Sequence, residues 1–150
     1  MKGHPIFAAV YDRMLAGTER AGLMEMRREL LADASGRVLE LGAGTGHNLE
    51  CYTDAVTELV MTEPDPHMAR RLRERLASQG RSVAAASVVE ASAEDLPFDD
   101  GSFDTVVATL VFCTVEDPPR AVAEARRVLV EGGTLLYLEH VRAQSSRLAR

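Results

Sequence analysis

The sequence has few cysteines: Cys51 and Cys113 are the only two in 150 residues. Two cysteines this far apart provide neither a disulfide framework nor the ligand spacing of a zinc site. We therefore predict no structural metal and a reducing, cytoplasmic environment.

Long apolar runs are also lacking. No stretch approaches the ~18 consecutive apolar residues that indicate a membrane-spanning helix, and residues 1–5 contain no apolar core of a signal peptide. We expect no transmembrane segment, so that any contact with a membrane is peripheral.

There is no excess of positive charge. The sequence has 17 basic and 23 acidic residues, a net charge of −6 and a pI near 5.2. A general attraction to nucleic acid phosphates is not expected of such a chain. The four arginines between positions 70 and 75 occupy polar positions of a helical pattern, which indicates a solvated helix face. The length and the apolar content of 46% indicate one soluble globular domain.

Short apolar segments alternate with helical patterns along the chain. The segments predict five strands, at residues 37–41, 58–63, within 83–89, 104–109 and 134–139. Helices are predicted over 23–31, after the first strand to about residue 52, from Asp65-Pro66 to Gly80, and from Pro118-Pro119 to Gly132-Gly133. Such alternation is typical of an α/β fold with a parallel, doubly wound sheet. We divide the chain into a helical arm, residues 1–35, and a ligand-binding core, residues 36–150.

A glycine-rich turn follows the first strand in the segment Glu40-Leu41-Gly42-Ala43-Gly44-Thr45-Gly46-His47. Glycine permits a tight turn and leaves space for a ligand, and unpaired backbone N–H groups of such a turn can bind a carboxylate or phosphate. The spacing differs from the dinucleotide fingerprint, which wants a small residue where His47 stands. Glu40 at the strand end suits a cationic ligand better than a pyrophosphate.

Two motifs carry a family resemblance. Glu40-x-Gly42-x-Gly44-x-Gly46 resembles the first motif of the class I methyltransferases that use S-adenosylmethionine. The segment Ala93-Glu94-Asp95-Leu96-Pro97-Phe98, followed by an acidic turn and Ser102-Phe103-Asp104, resembles a later signature of the same family. The resemblance implies a Rossmann-like methyltransferase fold, S-adenosylmethionine as cofactor and S-adenosylhomocysteine as product.

The resemblance also implies roles for individual residues. The glycine turn passes under the methionine part of the cofactor, which Glu40 contacts directly or through water, Glu63 binds the ribose hydroxyls, and Met68 and Leu96 cover the adenine. A surface glutamate and a core methionine remain the alternatives for Glu63 and Met68. The residues implied to bind cofactor are Glu40, Gly42, Ala43, Gly44, Gly46, Glu63, Pro64, Met68, Ala93, Glu94, Leu96 and Thr109.

The acceptor pocket is expected over the carboxyl ends of strands four and five, near Thr109, Phe112, Cys113 and His140. His140 is the candidate base, with a structural histidine as the alternative. Residues 109–115 and 138–141 resemble the small-molecule branch of the family, which includes phospholipid, quinone and alkyl-thiol methyltransferases. No Asn-Pro-Pro-Tyr or Asp-Pro-Pro-Tyr follows strand four, so a nucleic acid substrate is not expected.

Two alternatives stay open: a cofactor-binding module without turnover, and a nicotinamide-dependent oxidoreductase, which the absence of Tyr-x-x-x-Lys disfavours. Tyr11-Asp12 resembles a segment that covers the cofactor in related enzymes, although ordinary helix packing is the alternative. The family continues past strand five with a helix and an antiparallel strand pair. We therefore expect either a fragment of a longer protein, or a homodimer or larger assembly that covers the edge of strand five, and in both cases weak catalysis.

Overall fold

The computed structural model describes residues 22–79 and 85–140, and these form one parallel five-stranded sheet with helices on both faces. The elements are α1 (Met24–Leu31), β1 (Gly36–Leu41), β2 (Val56–Thr62), α2 (Pro66–Ser78), β3 (Ala86–Val89), β4 (Phe103–Thr109), α3 (Pro118–Val128) and β5 (Leu129–Leu138). The predicted doubly wound fold is confirmed. Tyr11-Asp12, Gly80 and the segment after His140 lie outside the described residues.

The strand order is β3-β2-β1-β4-β5, with β1 in the centre. Leu39 of β1 lies beside Val60 of β2 on one side and Val106 of β4 on the other. The order of the strands along the chain reverses between β1 and β4. In doubly wound folds this reversal opens a crevice at the carboxyl ends of the strands, where ligands bind.

Alternate residues of β1 face two separate cores. Val38 packs in a cluster with Leu31 of α1 and Leu72 of α2, whereas Leu39 packs in a second cluster with Ala121 of α3. Successive side chains of a strand point to opposite faces, and helices cover both faces of this sheet. The apolar character of β1 and β4 follows from this double burial.

Two helices begin at the positions that the sequence indicated, Asp65-Pro66 and Pro118-Pro119, and each has an aspartate cap. Asp65 Oδ1 accepts hydrogen bonds from the backbone N–H groups of His67 (2.8 Å) and Met68 (3.2 Å), and Pro66 starts α2. Asp117 caps α3 by accepting from the Arg120 N–H at 3.1 Å. Both caps satisfy N–H groups that have no partner within the helix.

The segment after the glycine turn differs from the prediction. Residues 44–51 form successive turns rather than a regular helix, with Gly46 N–H bonded to the Ala43 carbonyl and Cys51 N–H to the Asn48 carbonyl, each three residues back. Gly44 and Gly46 have φ of 60° and 91°. A right-handed helix cannot run through residues in this left-handed region.

The end of α3 also differs. The predicted Gly132-Gly133 stop is wrong, because α3 ends at Val128 and both glycines lie within β5. The register of β5 against β4 shifts there, between Phe103 and Thr105, and Gly132 has φ of 76°. The inner face of α3 contains Ala121, whereas Val122 is 44% exposed.

Helix α1 buries an unexpected residue. Arg27 and Leu31 are its buried side chains, and Leu23 just before the helix is buried with them, whereas Met26 is 53% exposed. The buried side chains recur every four residues, so they share one face of the helix. The guanidinium of Arg27 therefore lies near the carboxyl ends of the strands, where it contacts Asn48 and Thr109.

Candidate functional site

A cavity of ≈ 580 Å³ opens at the carboxyl ends of β1, β2 and β4, a size typical of small-molecule sites. Its lining comes from the glycine turn, the segments after β2 and β3, and the segment that joins β4 to α3. The lining residues are Gly42, Gly44, Glu63, Pro64, Asp65, Met68, Ser92, Ala93, Glu94, Thr109, Leu110, Val111, Thr114, Val115 and Glu116.

Most of the residues that the family resemblance implied meet at this cavity. Glu40, Ala43, Gly46 and Leu96 do not line it. Leu96 is 4% exposed and packs in the core between the sheet and α3, so that it is not placed to cover a ring. Sequence reasoning did not assign Asp65, Ser92, Leu110, Val111, Thr114, Val115 and Glu116 to the ligand. The signal for the last five was their position directly after β4, which neighbours the central strand β1.

Three backbone N–H groups of the glycine turn donate hydrogen bonds within the protein. Ala43 N–H donates to the Thr62 carbonyl at 2.8 Å and Gly46 N–H to the Ala43 carbonyl at 3.0 Å. Gly44 N–H donates to Glu63 Oε2 at 2.9 Å. The expectation that these amides are unpaired is therefore wrong. The parallel neighbour β2 ends beside the turn and supplies two of the acceptors.

Backbone geometry and packing explain why glycine is required in the turn. Gly42 has φ of 54°, and a Cβ there would lie 3.1 Å from Val111 Cγ2. At Gly46, with φ of 91°, a Cβ would lie 2.8 Å from Leu72 Cδ1. Both glycines thus fit against side chains of the protein, in a region of φ that L side chains rarely adopt.

Glu63 links the turn to the start of α2. Its carboxylate accepts from the N–H groups of Gly44 and Asp65, both at 2.9 Å, and the residue is 6% exposed. Burial raises the pKa of Glu63, while the two backbone hydrogen bonds oppose the rise. Each carboxylate oxygen has two lone pairs, so Glu63 keeps acceptor capacity towards the cavity.

A buried polar network lies behind the turn. Glu40 accepts from Asn48 Nδ2 at 2.9 Å and from the Tyr52 hydroxyl at 2.7 Å, and Arg27 Nη1 donates to Asn48 Oδ1 at 2.8 Å. Burial raises the pKa of Glu40 to about 7, although Tyr52, Asn48 and Arg27 all act in the opposite direction. Glu40 thus anchors the turn from behind and lies outside the cavity wall.

The loop after β3 is tied to the start of α3 by Glu94. Its carboxylate accepts from the Ser92 hydroxyl and from the Asp117 N–H, both at 2.7 Å. The Ser92 hydrogen bond and then the Asp117 amide lower the pKa of Glu94. Glu94 is ionised at neutral pH and lines the end of the cavity at which an adenine is expected.

Arg127 of α3 holds the segment after Glu94, residues 96–100, in place. Arg127 donates to the carbonyls of Leu96 (3.0 Å) and Phe98 (2.7 Å) and pairs with Asp100 at 2.8 Å. Glu124 accepts from both Arg127 and the Leu96 N–H, and its pKa falls to about 2 mainly through the Arg127 hydrogen bond. The motif is therefore folded by long-range polar contacts.

Glu139 organises the segment after β4. Its carboxylate accepts from the N–H groups of Val111 and Phe112 at 2.8 Å and of Cys113 at 3.4 Å. His140 Nδ1 lies 4.0 Å from Cys113 Sγ, and both residues are exposed. Desolvation and then the Glu139 carboxylate raise the pKa of Cys113, so that its thiol is protonated at neutral pH. Phe112, Cys113 and His140 lie outside the cavity wall.

Within residues 22–79 and 85–140, no helix combines the length and apolarity needed to cross a membrane. The same residues contain no group of three His, Cys, Asp or Glu side chains placed to hold a metal ion.

The fold and the site together define a class of nucleotide-type binding domains. A glycine turn after the central strand, a buried carboxylate just beyond the next strand and a cavity at the reversal of strand order are its three features.

Comparison with known proteins narrows this class. A family model described as a methyltransferase domain matches residues 39–137. The chain belongs to this family, the class I S-adenosylmethionine-dependent methyltransferases.

Among curated relatives, the human thiol S-methyltransferase TMT1B is 41% identical over 114 residues, covering 74% of this chain and 46% of the relative. The phosphatidylethanolamine N-methyltransferase of Cereibacter sphaeroides is 35% identical over 116 residues, covering 76% and 55%. The solved structure of a SAM-dependent methyltransferase from Thermotoga maritima matches with a TM-score of 0.62 and 29% identity, covering 86% and 59%. The chain spans about half the length of the curated relatives it matches.

Proposed function

We propose that this protein transfers the methyl group of S-adenosylmethionine to a small-molecule acceptor. The observation that carries the proposal is the position of Glu63. This buried carboxylate directly follows β2, lines the cavity and accepts a hydrogen bond from Gly44 of the glycine turn. Such a carboxylate can accept both hydroxyls of a ribose in charge-assisted hydrogen bonds.

The residues present fit this cofactor along the length of the cavity. Met68, Ala93 and Glu94 provide an apolar contact and polar groups for an adenine, Glu63 suits the ribose, and Gly42 and Gly44 line the opposite end. The bound cofactor supplies an activated methyl group on a sulfonium. The protein contributes orientation and exclusion of water, which can be worth ~7 to 11 kcal/mol of the barrier.

The acceptor side of the cavity favours a largely apolar molecule. Leu110, Val111 and Val115 line it, and Thr114 and Glu116 add polar groups at the rim. The relatives named above act on thiols and on a phospholipid headgroup, so we propose an acceptor of the thiol, amine, phenol or lipid-headgroup type. The decisive assay measures S-adenosylhomocysteine release with a panel of these acceptors.

The panel also tests the alternatives. Saturable binding of S-adenosylmethionine without release of S-adenosylhomocysteine for any acceptor would favour a binding module without turnover. Binding of NADH in place of S-adenosylmethionine would favour a nicotinamide-dependent oxidoreductase and would contradict the proposal.

For acceptors that lose a proton, we propose His140 as the general base. It follows β5 at the same edge of the sheet as the cavity, although its ring contacts Cys113 rather than the cavity wall. A His140→Gln variant should lower kcat by about a hundredfold if base catalysis is used, and leave cofactor binding unchanged. A kcat that stays at the wild-type value would assign His140 a structural role.

We also propose an oligomeric state, a cellular location and a division of the chain. Within the described sheet β5 is an edge strand, and Tyr137 on it is 61% exposed, which suits pairing with a second copy. Light scattering tests this homodimer. We further propose a cytoplasmic protein with an N-terminal arm at residues 1–35, a core at 36–150 and at most peripheral membrane contact. Cell fractionation and co-sedimentation with phospholipid vesicles test the location and the membrane contact.

A further inference from the structure

Thr109, at the end of β4, accepts two hydrogen bonds from buried donors. Its Oγ1 lies 2.9 Å from Arg27 Nη1 and 3.0 Å from Asn48 Nδ2. The residue is 9% exposed and lines the cavity. Leu41 pairs with Ala108 in the sheet, so Thr109 follows beside Gly42 at the mouth of the glycine turn.

The chemistry of the neighbours fixes the direction of these hydrogen bonds. A guanidinium can only donate, so the Asn48 amide must turn its oxygen towards Arg27. The amide nitrogen then faces the Glu40 carboxylate and Thr109. Thr109 is left to accept from both, which uses both lone pairs of its hydroxyl oxygen.

The hydroxyl hydrogen of Thr109 is therefore the only hydrogen-bonding capacity that the side chain has left. Among the residues that the structure describes, Thr109 makes no hydrogen bond as a donor. Because the side chain borders the cavity, this hydrogen is available to an acceptor atom of a bound ligand. The network of Arg27, Asn48 and Glu40 thus makes Thr109 a donor towards the cavity.

We propose that Thr109 donates this hydrogen bond to the carboxylate at the amino-acid end of S-adenosylmethionine, and that Arg27 and Asn48 act as positioning residues for it. The inference rests on the proposed function. The amides of Ala43, Gly44 and Gly46 donate within the protein, so these three are not left for the carboxylate. Thr109 stands beside the turn, with the positive charge of Arg27 directly behind it.

The test compares two ligands that differ in the carboxylate: S-adenosylmethionine and its decarboxylated analogue, each titrated by calorimetry. Thr109→Val removes the hydroxyl at nearly constant volume, and Thr109→Ser is the matched control that keeps it. We expect Thr109→Val to weaken S-adenosylmethionine binding about ten- to a hundredfold, as for a lost hydrogen bond to a charged group. The affinity for the decarboxylated analogue should not change, and Thr109→Ser should bind both ligands as the wild type does.

Equal weakening of both ligands by Thr109→Val would overturn the proposal, because it indicates a structural role. Unchanged affinity for S-adenosylmethionine together with a raised KM for the methyl acceptor would also overturn it and assign the hydroxyl to the acceptor. A wild-type protein that binds neither ligand would refute the proposed function itself.

Arg27→Gln keeps the test decisive if Thr109→Val does not fold. Glutamine carries an amide oxygen as well as an NH₂ group, so a donor-only side chain no longer imposes the polarity of Asn48 and Thr109. A selective loss for the ligand that carries the carboxylate is expected, and an equal loss for both ligands contradicts the proposal.

Discussion

Replacing Glu63 with glutamine tests the assignment of the cavity most directly. The carboxylate accepts one backbone N–H at each oxygen, from Gly44 and from Asp65. In Glu63→Gln one of these positions becomes an NH₂ group that faces an N–H donor. The free energy of unfolding should fall by ~1 to 3 kcal/mol for the lost acceptor.

Ligand binding should weaken in addition, because ribose hydroxyls would donate to a neutral group. A hydrogen bond to a charged group is worth ~1.5 to 3 kcal/mol, which corresponds to a factor of roughly ten to a hundred in Kd. Calorimetric titration with S-adenosylhomocysteine measures the loss, and urea unfolding of the same sample measures stability. The wild type and Glu63→Gln are titrated well below the temperature and urea concentration at which either unfolds. The loss of ligand affinity is then separated from the loss of stability.

Glu90 provides the matched control. It follows β3 directly, as Glu63 follows β2, but its side chain is exposed and paired with Arg73 at 2.8 Å. Glu90→Gln should change neither Kd nor stability by more than about 0.5 kcal/mol. The ribose assignment predicts a further selectivity: Glu63→Gln should affect 5′-methylthioadenosine more than its 2′-deoxy counterpart. Equal losses for these two ligands, or an unchanged Kd in folded Glu63→Gln, would refute the assignment.

Three further predictions concern the rest of the site. Gly46→Ala should cost about 2 to 4 kcal/mol of unfolding free energy by urea denaturation, from the left-handed φ and the contact with Leu72; an unchanged midpoint contradicts the described turn. Glu139→Gln should raise the acceptor KM several-fold while cofactor Kd stays constant, because only the segment after β4 is released; parallel changes in both constants would show that it acts more widely. The pKa of Glu40 lies above its ordinary value, at about 7, so the folded state holds this proton more tightly than the unfolded state. The free energy of unfolding should therefore fall by up to ~3 kcal/mol as pH rises from about 4.5 to 7. If the difference in unfolding free energy between the wild type and Glu40→Gln stays constant over this range, the effect is excluded.

The fold and the main cavity residues were predictable from local signals. Apolar strands alternating with capped helices define the sheet, and an acid at the end of β2 is visible as Glu63. The start of α2 at Asp65 is equally local, because a cap and a proline are adjacent in sequence. These features depend on residues within a few positions of one another.

The remainder depends on pairs that are distant in sequence. Arg27 occupies a helical pattern in which an arginine is ordinarily solvated. Its contacts with Asn48, 21 residues on, and Thr109, 82 residues on, accompany its burial. Likewise the amides of Ala43 and Gly44 have acceptors because β2 ends beside the glycine turn. The bonds of Glu139 to the segment after β4 span 26 to 28 residues. No spacing rule within one segment contains this information.

The central position of β1 has a consequence for the order in which the chain folds. Its two neighbours are β2, which follows closely, and β4, which begins more than sixty residues later. Until β4 docks, the side of β1 at which Glu40 lies beside Val107 is open to water, and Thr109 is not in place to accept from Asn48. We therefore expect desolvation of Glu40 to be a late event, because contacts between residues far apart in sequence form slowly. Pulse-labelling hydrogen exchange should find the amides of Ala43 and Gly44, which bond to β2 and to Glu63, protected before those of Val111 and Phe112, which bond to Glu139 beyond β5.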